Sequence, residues 1–551
     1  MPGLNASLSI AVQALQVQQG ALQTSSNNIA NVNTPGYSRQ EAVLAALPPP
    51  QGWTEGAGDG VTIQQYQSIR DQVLELQIQE ETAQQNSADT QANAAKLIEP
   101  LYTTSGQDIG SEMSAYFNSI SALSANPSDT TLRQGAMQAG QNLAYAFQST
   151  ASGLDQIQTS MDLSVTQDVS QINQLTQQIA TVNGQIGAAS GGMNAGALVD
   201  QLNTLVGQLS ALTGVSVIQT EQGITLTTSN GLPLVVGGQS FALSTATGSD
   251  GMQHVMAQGQ DITSTISGGS LGGAIQMRDQ VIPGLLNQLD TLASTFATSV
   301  NSVSLGGFDL TGAAGGDFFS LPTSATWNSG SVASATTALT AGTFTLQSPS
   351  GTSTAIAVGG ASGVNDLNDL ASYINTHVPG LGVTATVVTD SNGAHLSISG
   401  NASSRFSITS DSTALGFYSS GVALNLGLAF NDVSKIAASS DGSPGSNGNL
   451  TPWMALQNKL YSGQGATTSY SNMVAQVGSF SANAQAQSDA AAQTLQLLND
   501  QRSSISGVSI DEETTNMLKY QQAYEASARV VTTVDQLMSV VLNMDTGNMS
   551  Y

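Results

Sequence analysis

Residues 8–37 read LSIAVQALQVQQGALQTSSNNIANVNTPGY, and Leu8, Leu15, Leu22 and Ile29 recur in them every seven residues. That interval is close to two helical turns, so the four side chains lie along one narrow stripe suited to a partner helix. The pattern stops at a turn. Pro35 lacks an amide hydrogen and pushes Thr34 out of helical geometry, while Gly36 accepts the positive φ of a turn residue before Tyr37.

The far end carries a matching signal. Met517, Tyr524, Val531 and Met538 also repeat by seven, and Tyr520, Val534 and Val541 form a second row three residues on, with Ser527 as the one polar gap. Ser509 followed by Glu512 has the form of a capping box, and Asp511, Glu512 and Glu513 place negative charge at the positive end of the helix dipole. Such a trio also fits a paired-carboxylate site, but first-turn acids ahead of an apolar run are a regular helix start. Two narrow seams, one at each end, predict that the termini associate.

Composition limits the partners. The net charge is −26, from 11 basic and 37 acidic residues, which repels phosphate backbones and anionic lipid alike. Neither nucleic acid nor a membrane surface is therefore an expected partner. Charged residues make up 9% of the chain against about 25% in an average soluble domain, and Ser, Thr, Asn, Gln and Gly take the surface instead. Cysteine is absent, which removes disulfides, thiolate nucleophiles and thiolate metal sites. No basic residue precedes Arg39 and no apolar run approaches the ~18 residues of a membrane span, so neither a charged secretory leader nor a spanning helix is expected.

Three textures alternate in the interior. Val61-Thr62-Ile63 reads as a short strand. Residues 69–99 form a Gln- and Glu-rich helix ended by Pro100, followed by helical windows at about 107–124, 129–150 and 154–187 and a leucine-spaced run from Leu198 to Leu212. Residues 215–271 shift to alternation and predict a small β elaboration, and helix returns over about 273–304. Residues 330–430, rich in Thr, Ser, Gly and Val, predict strands around a helix at Val364 to Asn375. Helix then resumes at Trp453 to Tyr461 and about 467–504. Because helices precede and follow the β-rich insertion, the chain is expected to go out, fold that module and come back.

The segment from Ser25 to Tyr37, with Asn27, Asn28, Asn31, Asn33, Pro35, Gly36 and Tyr37, resembles the N-terminal signature of the bacterial flagellar axial proteins (rod, hook and hook-associated). Tyr520 to Val530 resembles their shared C-terminal helix. Ser504 to Glu513, Gly307-Phe308-Asp309-Leu310 and Gly315-Gly316-Asp317-Phe318-Phe319 look like the hook-associated members, which join hook to filament. Residues 330–430 are least covered by that resemblance, and their element order is similar to the flagellin hook IN motif. The resemblance implies a structural subunit with copies of itself, hook protein and the next junction protein as neighbours. It also implies an extracellular place at the hook–filament junction, type III export without a cleaved signal peptide, and a cytoplasmic chaperone at the C-terminal helix.

Catalytic chemistry finds little support. Gly268-Gly269-Ser270-Leu271-Gly272 fits G-x-S-x-G with a helix following, and His377 and His395 lie downstream in hydrolase order. The preceding Asp261 to Ser267 is polar rather than a buried strand, however, and no HGGG-like oxyanion segment precedes it. His254, His377 and His395 are isolated, no lysine follows a glycine as a P-loop needs, and Asp309 and Asp317 lack the ligand alternation of a calcium loop. Trp53, Trp327 and Trp453 are too scattered for a stacking platform and are expected to serve packing.

The chain is thus read as mainly α with β modules and no cofactor, metal or enzymatic activity. Residues 1–40 and 508–551 form a terminal coiled-coil assembly domain. Residues 41–329 and 431–507 form a helical bundle with a β elaboration, and residues 330–430 an outer β-rich module. The alternatives are a hook or rod protein, disfavoured by the helical patterning of residues 69–212, and a secreted serine hydrolase built on Ser270.

Overall fold

The computed structural model describes the chain except residues 1, 48–59, 104–105, 189–194, 221–222, 249–250, 322–325, 331, 348–352, 362, 391–392, 401–405, 412–414, 416–417, 420, 461–462 and 547–551. Trp53 lies outside the described residues. The protein is mainly helical, with small antiparallel sheets.

At one end, α1 (Pro2–Ala30) packs against the last helix, α12 (Ile510–Thr546), and against a hairpin of β1 (Gln40–Ala46) and β2 (Val61–Ser68). Only the start of β2 was expected as strand. The hairpin contact places β1 and β2 with the terminal pair, past the expected boundary at residue 40.

The bundle comprises α2 (Gln72–Thr103), α3 (Ile109–Ala125), α4 (Thr130–Ala188), α5 (Ala195–Leu212), α6 (Gly269–Gln276), α7 (Ile282–Leu305), α10 (Leu450–Ala455) and α11 (Ala466–Ser506). Two expected helix ends are overridden by burial. Helix α2 runs through Pro100, because Ile98 and Tyr102 are sealed in the core and the Tyr470 hydroxyl donates to the Tyr102 carbonyl at 2.8 Å. The windows at 129–150 and 154–187 form a single helix of 59 residues, about 90 Å long at 1.5 Å per residue. Gly153 sits inside it because a Cβ there would come within 2.6 Å of the Leu101 side chain.

The β elaboration consists of β3 (Val215–Thr220), β4 (Gly223–Thr228), β5 (Pro233–Val236) and β6 (Gln239–Ser240) in one sheet. A second sheet holds β7 (Leu243–Thr247), β8 (Gln253–Ala257) and β9 (Gln260–Asp261). Two asparagines of α4 peg the sheets by imitating a peptide group. The Asn183 side chain accepts from the Ile224 amide at 2.8 Å and donates to its carbonyl at 2.6 Å, and Asn173 holds Leu243 in the same two ways, both at 2.8 Å. A π turn over Met277–Val281 follows α6 and carries Arg278 inward. Arg278 is fully buried; it donates to Asp162 at 2.7 Å, to both carboxylate oxygens of Asp279 at 2.6 and 2.9 Å, and to the Gln253 carbonyl at 2.6 Å.

Phe318 and Phe319 close the aromatic centre of the core with Tyr116, Phe117, Phe296 and Trp453. The Asn301 amide fixes them, accepting from the Phe318 and Phe319 amides at 2.9 and 2.8 Å while donating to the Phe319 carbonyl at 2.8 Å. Phe319 lies in β10 (Phe319–Ser320). Asp309 makes a closed turn rather than a ligand site. Its carboxylate accepts from the Thr311 and Ala313 amides and from Lys435, bonds that hold its pKa down at about 2 against the cost of its burial.

The outer module has a separate core around Trp327, Phe344, Leu396 and Ile398. One sheet orders β14 (Val383–Asp390), β15 (Gly393–Gly400), β11 (Thr326–Asn328) and β17 (Tyr418–Ser419), and another β13 (Ser353–Val358), β12 (Gly342–Gln347) and β16 (Ser407–Asp411). Helix α8 (Leu367–His377) packs across β14. After the module, α9 (Val422–Asn425) and β18 (Gly427–Leu428) return to the bundle. Val422, Ala423 and Leu426 join the bundle core, and Asp290 caps α9 by accepting from the Gly421 and Ala423 amides at 2.9 and 2.7 Å. The expected boundary at residue 430 therefore falls inside the bundle.

An excision follows from this register. Trp327 pairs with Ser419, so the two ends of the module are adjacent. Replacing residues 330–417 with a short linker is expected to leave the bundle's helical circular dichroism and unfolding midpoint unchanged. Extending the deletion to residue 430 should lower the midpoint, since each large core side chain lost costs about 2–5 kcal/mol. Equal midpoints for the two deletions would contradict this placement.

Candidate assembly interface

Helix α1 is held from two sides. Its fully buried positions are Ala11, Val17, Ala21, Thr24, Ser25 and Asn28, whereas Leu8, Leu15, Leu22 and Ile29 are half-buried beside them. The row facing the interior is the one with small residues, because the hairpin approaches closely: a Cβ on Gly20 would lie 2.5 Å from Ile63 and 2.8 Å from the Tyr66 hydroxyl. The seven-residue row thus flanks the internal contact and keeps part of its apolar surface open.

On α12 the same holds more strongly. Val534 is the buried apolar contact, Met517, Tyr520, Val531, Met538 and Val541 are half-buried, and Tyr524 is exposed. A further row, Val530, Leu537 and Val540, remains 48–55% exposed on another face. Leu537 and Val540 are three residues apart and Val530 lies two turns before Leu537, so the row forms an apolar strip along one face that is open among the described residues.

The turn after α1 is a joint. Asn28 accepts from the Tyr37 hydroxyl at 2.8 Å and the Gln40 amide at 3.0 Å, and donates to the Gln40 carbonyl at 2.9 Å. Asn31 bonds back to the Asn27 carbonyl at 2.9 Å and accepts from Thr34 at 3.1 Å, while Asn33 and Pro35 are exposed. Gly36 has φ +80°, and a Cβ there would meet Thr204 at 2.7 Å. Its carbonyl accepts from Arg70, which also pairs with Asp200 at 2.6 Å and Glu75 at 3.5 Å. Burial, with the charges of Asp200 and Glu513 adding to it, pushes the Tyr37 phenol up to about 12. Across the joint Arg39 pairs with Glu512 at 2.6 Å and its amide donates to the Ser506 carbonyl at 2.9 Å. Ser509 caps α12 through the Glu512 amide at 3.4 Å, but the Glu512 side chain turns to Arg39 instead of closing the capping box. Arg39, Arg70 and Asp200 were not singled out in the sequence, since their partners lie far away along the chain.

The G-x-S-x-G segment is a packing turn. Gly268 and Gly269 have φ of +73° and +67°, and a Cβ on Gly269 would come within 2.2 Å of the Leu212 backbone. The Ser270 hydroxyl donates to Asp168 at 2.7 Å, His254 bonds Asp261 at 2.6 Å, and His377 stacks on Tyr373. Among the described residues no group of three His, Asp or Glu is placed to hold a metal ion, and no helix is long and apolar enough to cross a membrane.

Burial raises the Asp168 pKa, with the Ser270 bond opposing it. A raised carboxylate pKa means that the folded chain gains stability as pH falls through it. Asp168→Asn, which keeps an acceptor for Ser270, is therefore expected to stabilise the bundle by about 1 kcal/mol at neutral pH. The advantage should shrink as pH drops through the folded-state pKa, as read by urea unfolding from pH 7 to 4. An advantage that grows on acidification would contradict it.

Comparison with known proteins agrees with this architecture. Residues 95–319 match the flagellar hook-associated protein FlgK helical domain, residues 500–544 the flagellar basal body rod FlgEFG protein C-terminal family, and residues 8–37 the flagella basal body rod protein family. The chain is 28% identical to flagellar hook-associated protein 1 of Escherichia coli K12 over 561 residues, covering 97% of this chain and 98% of the relative. It is 26% identical to flagellar hook-associated protein 1 of Bacillus subtilis 168 over 585 residues, covering 97% of each. The structure of the flagellar hook junction protein FlgK from Burkholderia pseudomallei shares the fold at a TM-score of 0.59 and 19% identity, over 78% of this chain and all of that one. Paired terminal helices on a long helical bundle, with rod-type sequence at both ends, define a flagellar axial protein. Within that class the chain belongs to the hook-associated protein 1 family, with a structural role at the hook–filament junction.

Proposed function

We propose that the chain builds this junction through its terminal pair, stacking as head-to-tail copies in a helical ring with hook protein below and the next junction protein above. The observation that carries the reading is that α1 and α12 pack together yet keep open apolar strips: the half-buried row of Leu8, Leu15, Leu22 and Ile29, and the exposed row of Val530, Leu537 and Val540. Head-to-tail surfaces that do not close on themselves generate tubes, and open strips on both helices suit such contacts. Residues 326–419, with their separate core, form the outward module. The chain reaches the junction by export without a cleaved signal peptide, chaperoned at α12, whose strips need cover until assembly.

The chain has no cysteine, so single thiols report cleanly. A thiol introduced by Leu537→Cys should react with a maleimide in the monomer and be protected in isolated hook–filament structures, while Thr336→Cys on the module reacts in both. Equal reactivity of Leu537→Cys before and after assembly would overturn the reading. The role is structural rather than catalytic, supported by the Ser270 hydroxyl being bonded to a carboxylate instead of an imidazole. Ser270→Ala should swim normally, and labelling of Ser270 by a fluorophosphonate would contradict the structural assignment.

A further inference from the structure

The turn at residues 31–38 has one half that the joint uses and one that it does not. Asn28, Gly36 and Tyr37 are tied inside the chain, whereas Asn33, Thr34 and Pro35 are exposed on one wall of a pocket of about 260 Å³. The end of α11 and its link to α12 make the other wall, which carries Arg502 and Ser503. Arg502 is half-buried and, among the described residues, has no hydrogen bond or ion pair. Arg39, Arg70, Arg278 and Lys435 each pair with a carboxylate, and Arg133 is bonded to three main-chain carbonyls. Glu75 also lines the pocket, but its carboxylate is engaged by Arg70 at 3.5 Å.

Lys96, Lys459, Lys519 and Arg529 are exposed to solvent, so among the described residues Arg502 is the half-buried cation without an acid, in a chain with 11 basic and 37 acidic residues. The Arg502 guanidinium is a planar fork suited to a carboxylate, and the Ser503 hydroxyl and the Asn33 amide line the same pocket. We propose that this pocket receives an aspartate or glutamate side chain from a neighbouring copy of the chain. Charge selects that occupant: every copy carries a large excess of acids, so a second copy brings the missing partner to each Arg502. The inference rests on the stacking of copies proposed above, and it gives the exposed part of the shared turn a role between subunits.

Arg502→Lys keeps the charge and supplies an amine for carbodiimide coupling. Treatment of isolated hook–filament structures activates a touching carboxylate, and the amine at position 502 displaces the activating group as a urea, leaving an amide. The expected product is an amide from position 502 to an Asp or Glu of another copy, seen as a dimer band and a linked peptide that the monomer does not give. A link to Glu75 of the same chain, or none, would overturn the proposal. Arg502→Gln should raise shed filament protein at least tenfold without moving the monomer's unfolding midpoint. With Val534→Asp run alongside, normal filaments in both variants would sink the stacking reading itself. Shedding by Val534→Asp with normal filaments in Arg502→Gln would sink the pocket alone.

Discussion

Cells carrying Val534→Asp are expected to make and fold the bundle normally, to lose motility and to release filament protein into the medium. Val534 is 6% exposed and is the buried apolar side chain of α12 among the described residues. Its replacement forfeits ~1.5–3 kcal/mol of apolar burial and adds the cost of a desolvated carboxylate. That loss recurs in every subunit, so a contact that is marginal once becomes prohibitive around a ring. The core of α2–α7, α10 and α11 does not include Val534, so the far-ultraviolet signal of the bundle should persist. Leu15→Asp, on the half-open row of α1, should act in the same direction with a smaller effect. Normal swimming by both variants would move the assembly surface away from the terminal pair.

Arg278→Ala is expected to destabilise the bundle by about 3–5 kcal/mol, the range for a buried ion pair stripped of one partner. The substitution leaves Asp279 without the guanidinium and Asp162 with the Gln253 amide as its remaining donor, opens a void at the π turn, and removes one of the two links between β8 and α4. Adding Asp162→Asn and Asp279→Asn should recover part of the loss, because uncompensated charge and not volume alone sets the cost. The check is the urea midpoint of the bundle transition in the three proteins. A shift below about 1 kcal/mol for Arg278→Ala would mean that water or neighbouring groups take over the guanidinium's bonds.

Much of this architecture is legible in the sequence, because periodicity and caps are local. The seven-residue rows place α1 and α12, Ser509 marks the start of α12, and the alternation after Val215 marks the β elaboration. What escapes are effects of distant neighbours. Pro100 and Gly153 look like helix ends by propensity, yet burial of Tyr102 and packing on Leu101 carry both helices through. The buried row of α1 is set by the hairpin that contains Ile63 and Tyr66, so the leucine row, legible as apolar, was not legible as half-open. Arg70 and Asp200 form the joint at a sequence separation of 130, which no motif spacing encodes. Phe318 and Phe319 stand out as part of a motif, but their fixation by Asn301 appears only once α7 is folded beside them.

The most direct test is immunogold labelling of hook tips with antibody to the module at residues 326–419, in cells expressing the wild-type chain or Val534→Asp at equal levels. The account predicts one gold band between hook and filament in the wild type and bare hook tips in the variant. Gold along the hook shaft, or tips decorated equally in both, would contradict it.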